Sequence, residues 1–124
     1  MNYIELELGG EKRGAKLGIG YLRFVTNEKK ITLDEFFNSF QSMAEDQNPE
    51  SIFTIIELIY LSLVYNCKRK KEDPNFDTDD VFDWIDEDGG FKSSVYQKFV
   101  QALTASFGVD MGKNQPEEKK PAKK

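Results

Sequence analysis

Ile4-Glu-Leu-Glu-Leu-Gly-Gly-Glu-Lys-Arg-Gly-Ala-Lys-Leu-Gly-Ile-Gly-Tyr-Leu-Arg-Phe-Val25 decides the fold, because its hydrophobic period changes partway along. Ile4, Leu6 and Leu8 alternate with Glu5 and Glu7, the two-residue period of a strand with one wet face. Gly9-Gly10 supplies the backbone freedom for a hairpin turn, and a short return strand runs to about Leu17. After Gly18 and Gly20, the apolar residues Tyr21, Leu22, Phe24 and Val25 fall at helical spacing. A hairpin over about residues 2–17 therefore feeds straight into a helix that ends near Asn27-Glu28-Lys29-Lys30.

The rest of the chain reads as helix. Thr32 with Glu35 three residues on forms a capping box for a second helix, whose apolar face is Phe36, Phe37, Phe40 and Met43 and which stops near Asp46. A third helix is expected with Asn48 as its cap, Pro49 at its first position and Glu50 at the positive end of its dipole. From Ile52 to Val64 it is apolar around most of its circumference, the mark of a central helix buried on several sides. Val81, Phe82, Trp84 and Ile85 predict a short fourth helix that begins at Asp77 or Thr78 and ends at Asp88-Gly89-Gly90. A fifth helix from Ser93 or Ser94 carries Val95, Tyr96, Phe99, Val100, Leu103 and Phe107 as one stripe, with Gly108 at its C-terminus. The expected architecture is mainly α, a compact bundle of about five helices with an N-terminal β-hairpin over residues 1–108. Residues 109–124, rich in Lys, Glu, Gln and Pro, read as a disordered C-terminal tail.

At 124 residues the chain fits one domain with a real core. Its first residues lack the pattern of a secretory leader, and the single cysteine, Cys67, allows no internal disulfide, which fits a reducing cytoplasm. With no histidine, the usual general base and the commonest transition-metal ligand are missing, so hydrolase and metalloenzyme chemistry is not expected. No catalytic, cofactor-binding or metal-binding residue is assigned. The net charge is −5, but Lys113, Lys119, Lys120, Lys123 and Lys124 against Asp110, Glu117 and Glu118 give the tail +2, leaving −7 on the body. An acidic body repels a phosphate backbone, so no nucleic-acid partner is expected. The most apolar window, Ser51 to Cys67, falls short of the ~20 residues that span a bilayer and contains Glu57, so no membrane span is expected either.

Several local patterns resemble sites and fail at identifiable positions. Asp73, Asn75 and Asp77 match the first ligands of a calcium loop, but Thr78 stands where glycine is needed and Trp84 where a bidentate carboxylate is needed. Gly18-Ile-Gly-Tyr-Leu-Arg begins like a dinucleotide fingerprint and ends in Arg23, with no parallel-strand system after it. Asp79 and Asp83 could pair for acid/base work, yet nothing apolar encloses them to separate their pKa values. Cys67 reads as a small core residue rather than a nucleophile. Lys68-Arg69-Lys70-Lys71 reads as a solvated helix terminus, with a nucleic-acid contact as the other option. From Glu72 to Asp88 the chain has nine carboxylates and no cation. Within that stretch Phe76, Phe82 and Trp84 either complete the core or anchor a protein interface rimmed by Asp79, Asp80, Asp83 and Asp86, suited to a basic or amphipathic partner. The strand edge lined by Glu5 and Glu7 is a second candidate contact surface.

The layout, together with Leu17-Gly-Ile-Gly-Tyr-Leu-Arg-Phe24 and Asp79-Asp-Val-Phe-Asp-Trp-Ile-Asp86, resembles the phage tail assembly chaperones over nearly the whole chain. The resemblance implies a small, mainly helical, non-enzymatic protein of long-tailed phages or prophages, acting in the host cytoplasm and absent from the mature virion. It implies the tape measure protein as partner, kept soluble by the chaperone, with the major tail tube protein as a further partner and a homo-oligomer as a possible state. It also implies a longer frameshifted product, for which Lys119-Lys120 and Lys123-Lys124 would need A-rich, slippery codons. The alternative class is a small acidic cytoplasmic interaction module, antitoxin-like or a regulatory adaptor.

Overall fold

The computed structural model describes residues 2–46 and 49–107. Among them, strands β1 (Tyr3–Leu8) and β2 (Glu11–Lys16) precede five helices: α1 (Ile19–Lys29), α2 (Leu33–Asp46), α3 (Ser51–Arg69), α4 (Thr78–Glu87) and α5 (Ser94–Phe107). The protein is thus mainly helical, with an N-terminal two-stranded antiparallel hairpin. Asn48, Gly108 and the tail 109–124 lie outside the described residues.

The hairpin pairs Leu8 with Glu11 and Tyr3 with Lys16, so Gly9 and Gly10 alone make the turn. Both have positive φ, 64° and 79°, as a type I′ turn requires. Alternation then places Leu6, Leu8 and Ala15 in the core while Glu5 and Glu7 face solvent. Leu17 N–H extends the ladder to the Asn2 carbonyl (2.7 Å), and the chain turns into α1 through Gly18 at φ 97°, ψ −169°, a region open essentially to glycine alone. The change of period in the sequence is a hairpin entering a helix.

α3 is the element on which the others meet: it touches β2, α1, α4 and α5. Ile52, Ile55, Ile56, Leu58, Ile59 and Leu63 are buried along it, each contributing roughly 1.5–3 kcal/mol of transfer free energy. Tyr21 from α1 is fully buried beside it and donates its hydroxyl to the Leu58 carbonyl (2.7 Å). By length and composition α3 could cross a bilayer; in this fold its Glu57 is paired with Lys29 of α1 at 2.9 Å.

The helix starts follow local chemistry. Thr32 and Glu35 form the expected capping box, the Thr32 N–H donating to Glu35 Oε1 (2.8 Å) and the Glu35 N–H to Thr32 Oγ1 (3.1 Å). The start of α3 differs from expectation: the helix opens at Ser51 with Glu50 as cap, and Pro49 sits in the preceding turn. There the Pro49 and Glu50 carbonyls accept from Ile52 and Phe53 N–H in tight three-residue steps, so proline precedes the α-helix instead of opening it. At the other end, Lys71 adopts φ 59°, and the N–H groups of Glu72 and Lys71 reach back to the Cys67 and Lys68 carbonyls (2.9 and 3.1 Å). That Schellman pattern ends α3 at the basic run.

Candidate functional site

Aromatic residues and carboxylates concentrate on α4, and local capping explains part of the acidic stretch. The Asp77 carboxylate accepts the Asp80 N–H, and the Asp80 carboxylate accepts the Asp77 N–H, both at 2.9 Å. At the far end, Asp88 Oδ2 accepts the Ser93 hydroxyl (2.6 Å) and the Val95 N–H (3.0 Å), tying a short 3-10 turn, Gly90–Lys92, to the start of α5. Those hydrogen bonds hold the Asp88 carboxyl below the usual carboxylate range, the Ser93 hydroxyl contributing most. Asp77, Asp80 and Asp88 are therefore structural. Asp79, Asp83 and Asp86 point to solvent and make no ion pair among the described residues.

The three predicted aromatics separate. Val81 and Ile85 are buried, which rolls Trp84 toward the hairpin and leaves Phe82 on the other side of the helix. Phe76 packs edge-on against Tyr60 (6.0 Å between ring centroids) and lies 5.8 Å from Trp84. Arg13 covers both rings, its guanidinium carbon 4.3 Å from the Trp84 ring centre and 5.4 Å from that of Phe76. The strand register explains why a cation is there: Arg13 lies opposite Leu6 and so points to the core side of the sheet. Its Nε donates to the Leu8 carbonyl (3.1 Å) and Nη1 to Asn75 Oδ1 (3.5 Å). The indole comes so close to the turn that a Cβ on Gly9 would stand 2.6 Å from Trp84 Cε2.

Phe82 belongs to a different surface. Its ring lies 6.3 Å from Phe53 at the start of α3, and Phe53 is 55% exposed. Thus the structure gathers Phe76 and Trp84 into the joint between α4 and the hairpin, gives Asp80 to a cap, leaves Phe82 partly buried beside Phe53, and turns Asp79, Asp83 and Asp86 outward. Sequence reasoning missed Arg13 and Phe53 as partners of these aromatics. The signal for Arg13 was a cation at an inward strand position, which only the register reveals. For Phe53 it was Glu50 and Glu57 three residues before and four after it, inside a helix read as apolar all round.

The other candidates have other neighbours. Cys67 is half-buried, not a core residue, because it sits in the last turns of α3 where the helix emerges from its neighbours. Burial and then the Glu72 carboxylate push its thiol pKa up, against weaker pulls from Lys70 and Arg13. The edge of β1 is engaged at Glu5, whose carbonyl accepts from Lys98 Nζ of α5 (2.8 Å). A mostly apolar groove of about 300 Å³ opens between α2, α3 and α5, lined by Phe40, Met43, Ile55, Tyr96 and Val100. Among the described residues no group of three or more Cys, Asp or Glu converges as metal ligands would. No family model matches this chain, and neither a curated protein nor a solved structure does.

Proposed function

We propose that this protein is a non-enzymatic phage tail assembly chaperone that binds the tape measure protein, keeps it soluble in the host cytoplasm and assists tail-tube assembly. Two lines support the reading: the resemblance of layout, and the outward face of α4. The observation that carries it is that the exposed Asp79, Asp83 and Asp86, without an ion-pair partner among the described residues, flank a partly buried Phe82 whose ring lies 6.3 Å from that of the exposed Phe53. Carboxylates around an aromatic ring suit a partner with apolar side chains between cations, as on a long amphipathic helix. Co-expression with a tape measure protein encoded in the same genome tests this. The expected result is co-purification and a gain in soluble tape measure protein. A tape measure protein that is equally soluble alone and never co-purifies overturns it.

A further inference from the structure

We infer that the docking surface is the ridge where α3 and α4 meet, centred on Phe53 and Phe82, and that its occupant is an amphipathic helix carrying cations on both sides of its apolar stripe. The inference rests on the reading of this protein as a helix-binding module and adds the α3 half of the surface. Phe53 is 55% exposed and its ring centre lies 6.3 Å from that of Phe82, so the two rings form one apolar step shared by two helices.

The charge pattern around that step repeats at each ring. Around Phe53, the cap residue Glu50 and, within α3, Glu57 stand three residues before and four after; on α4, Asp79 and Asp86 stand three before and four after Phe82. Within α4 those offsets share one face, so Phe82 sits between two carboxylates about 10 Å apart along the axis, and within α3 Glu57 lies one turn on from Phe53 on the same face. Glu57 shares its charge with Lys29, 2.9 Å away, which leaves the acidic bias with the α4 side, where Asp83 adds to it and no cation occurs. A partner that seats a Leu or Phe on the two rings meets carboxylates on both flanks. It is therefore a helix with Lys or Arg three or four residues to each side of its central apolar residue. The joint on the other side of α4 has its cation built in as Arg13; among the described residues Asp79, Asp83 and Asp86 have no ion-pair partner, and the docked helix supplies the cations.

The test titrates the full chain into a labelled synthetic helix of about 20 residues, long enough to be helical when bound, with a leucine stripe flanked by lysines, and reads fluorescence anisotropy. Replacing both rings, Phe53→Ala with Phe82→Ala, should weaken binding at least tenfold while the circular dichroism melt, lowered by the loss of the partly buried Phe82 ring, remains one cooperative transition above the binding temperature. The triple change Asp79→Asn, Asp83→Asn, Asp86→Asn removes no packing, and should cut affinity and flatten its salt dependence. Equal binding by both variants, or equal binding of a peptide with glutamate in place of lysine, overturns the inference. So does self-association that the double alanine variant abolishes in the absence of peptide binding, because the occupant is then a second copy. A tape measure protein that still co-purifies with the double variant sinks this surface and leaves the chaperone reading standing; a tape measure protein that does not co-purify with the wild-type chain, while the peptide binds it at the ridge, does the reverse.

Discussion

On the hairpin side of α4, Trp84 and Phe76 meet Arg13, which also bonds the Leu8 carbonyl and Asn75. On the other side, about 200° round the helix, Phe82 meets Phe53 and is flanked by Asp79 and Asp86. Both sides combine aromatic rings with charge, yet they differ in what the fold has already satisfied. The Arg13 cluster is complete: its guanidinium has acceptors and two ring faces, and its side chain is only 14% exposed. The Phe82 side has rings beside anions, and no cation of α4 neutralises them. Aromatics and charges on a short helix thus serve two ends, and only the neighbours distinguish a joint from a surface available to a partner.

The sharpest way to break this comparison is to truncate one ring on each side. Trp84→Ala should cost about 3 kcal/mol of unfolding free energy, since it opens the joint between α4 and the hairpin turn. Phe82→Ala should cost less, about 1–2 kcal/mol, because its partly buried ring packs against the exposed Phe53 and closes no joint with the hairpin. Urea denaturation of the two variants measures the difference, and equal losses would make both sides core. Next in size is Gly9→Ala, expected to cost about 2 kcal/mol. The new methyl group would hold an unfavourable φ of 64° and press on a rigid indole, so a combined Gly9→Ala, Trp84→Ala variant should lose less than the sum of the two single losses. Arg13→Met should cost about 1–2 kcal/mol. Arg13→Lys should recover only part of it, because a lysine keeps the charge without the planar fork that serves both rings and the Leu8 carbonyl. Neither Arg13 variant should change binding of the basic helix at the ridge, which separates the two sides functionally.

Much of the fold was legible because its signals are local. The switch from period two to helical spacing, Gly9-Gly10 at the turn and the Thr32–Glu35 box each lie within a few residues, and each appears where expected. The start of α3 was misplaced because proline at a first helical position and proline in the turn before it satisfy the same steric rule. The site was legible by composition and not by face. Phe76, Phe82 and Trp84 look alike along the chain, and what sorts them is Arg13, brought from β2 by a register that only pairing with Leu6 defines. Phe53 was hidden for the opposite reason: a helix apolar on nearly all sides gives no local sign of which apolar residue the neighbours leave uncovered.

The acidic stretch supplies the smallest expected effect. Asp88 ends α4 as an anion that the fold has satisfied, through the Ser93 hydroxyl and the Val95 N–H, whereas Asp79, Asp83 and Asp86 have no such partners among the described residues. Its folded pKa lies below the unfolded value, so its contribution to stability is present above the unfolded carboxylate pKa of about 3.9 and is lost as pH falls through the folded value. Asp88→Asn should therefore melt at a lower temperature than wild type at neutral pH, with the gap closing as the pH is taken below about 4. A gap for Asp88→Asn that stays constant down to the acid limit would mean that the Asp88 cap acts through shape and not charge, and the contrast between used and unused carboxylates on α4 would then rest on the Asp77–Asp80 box alone.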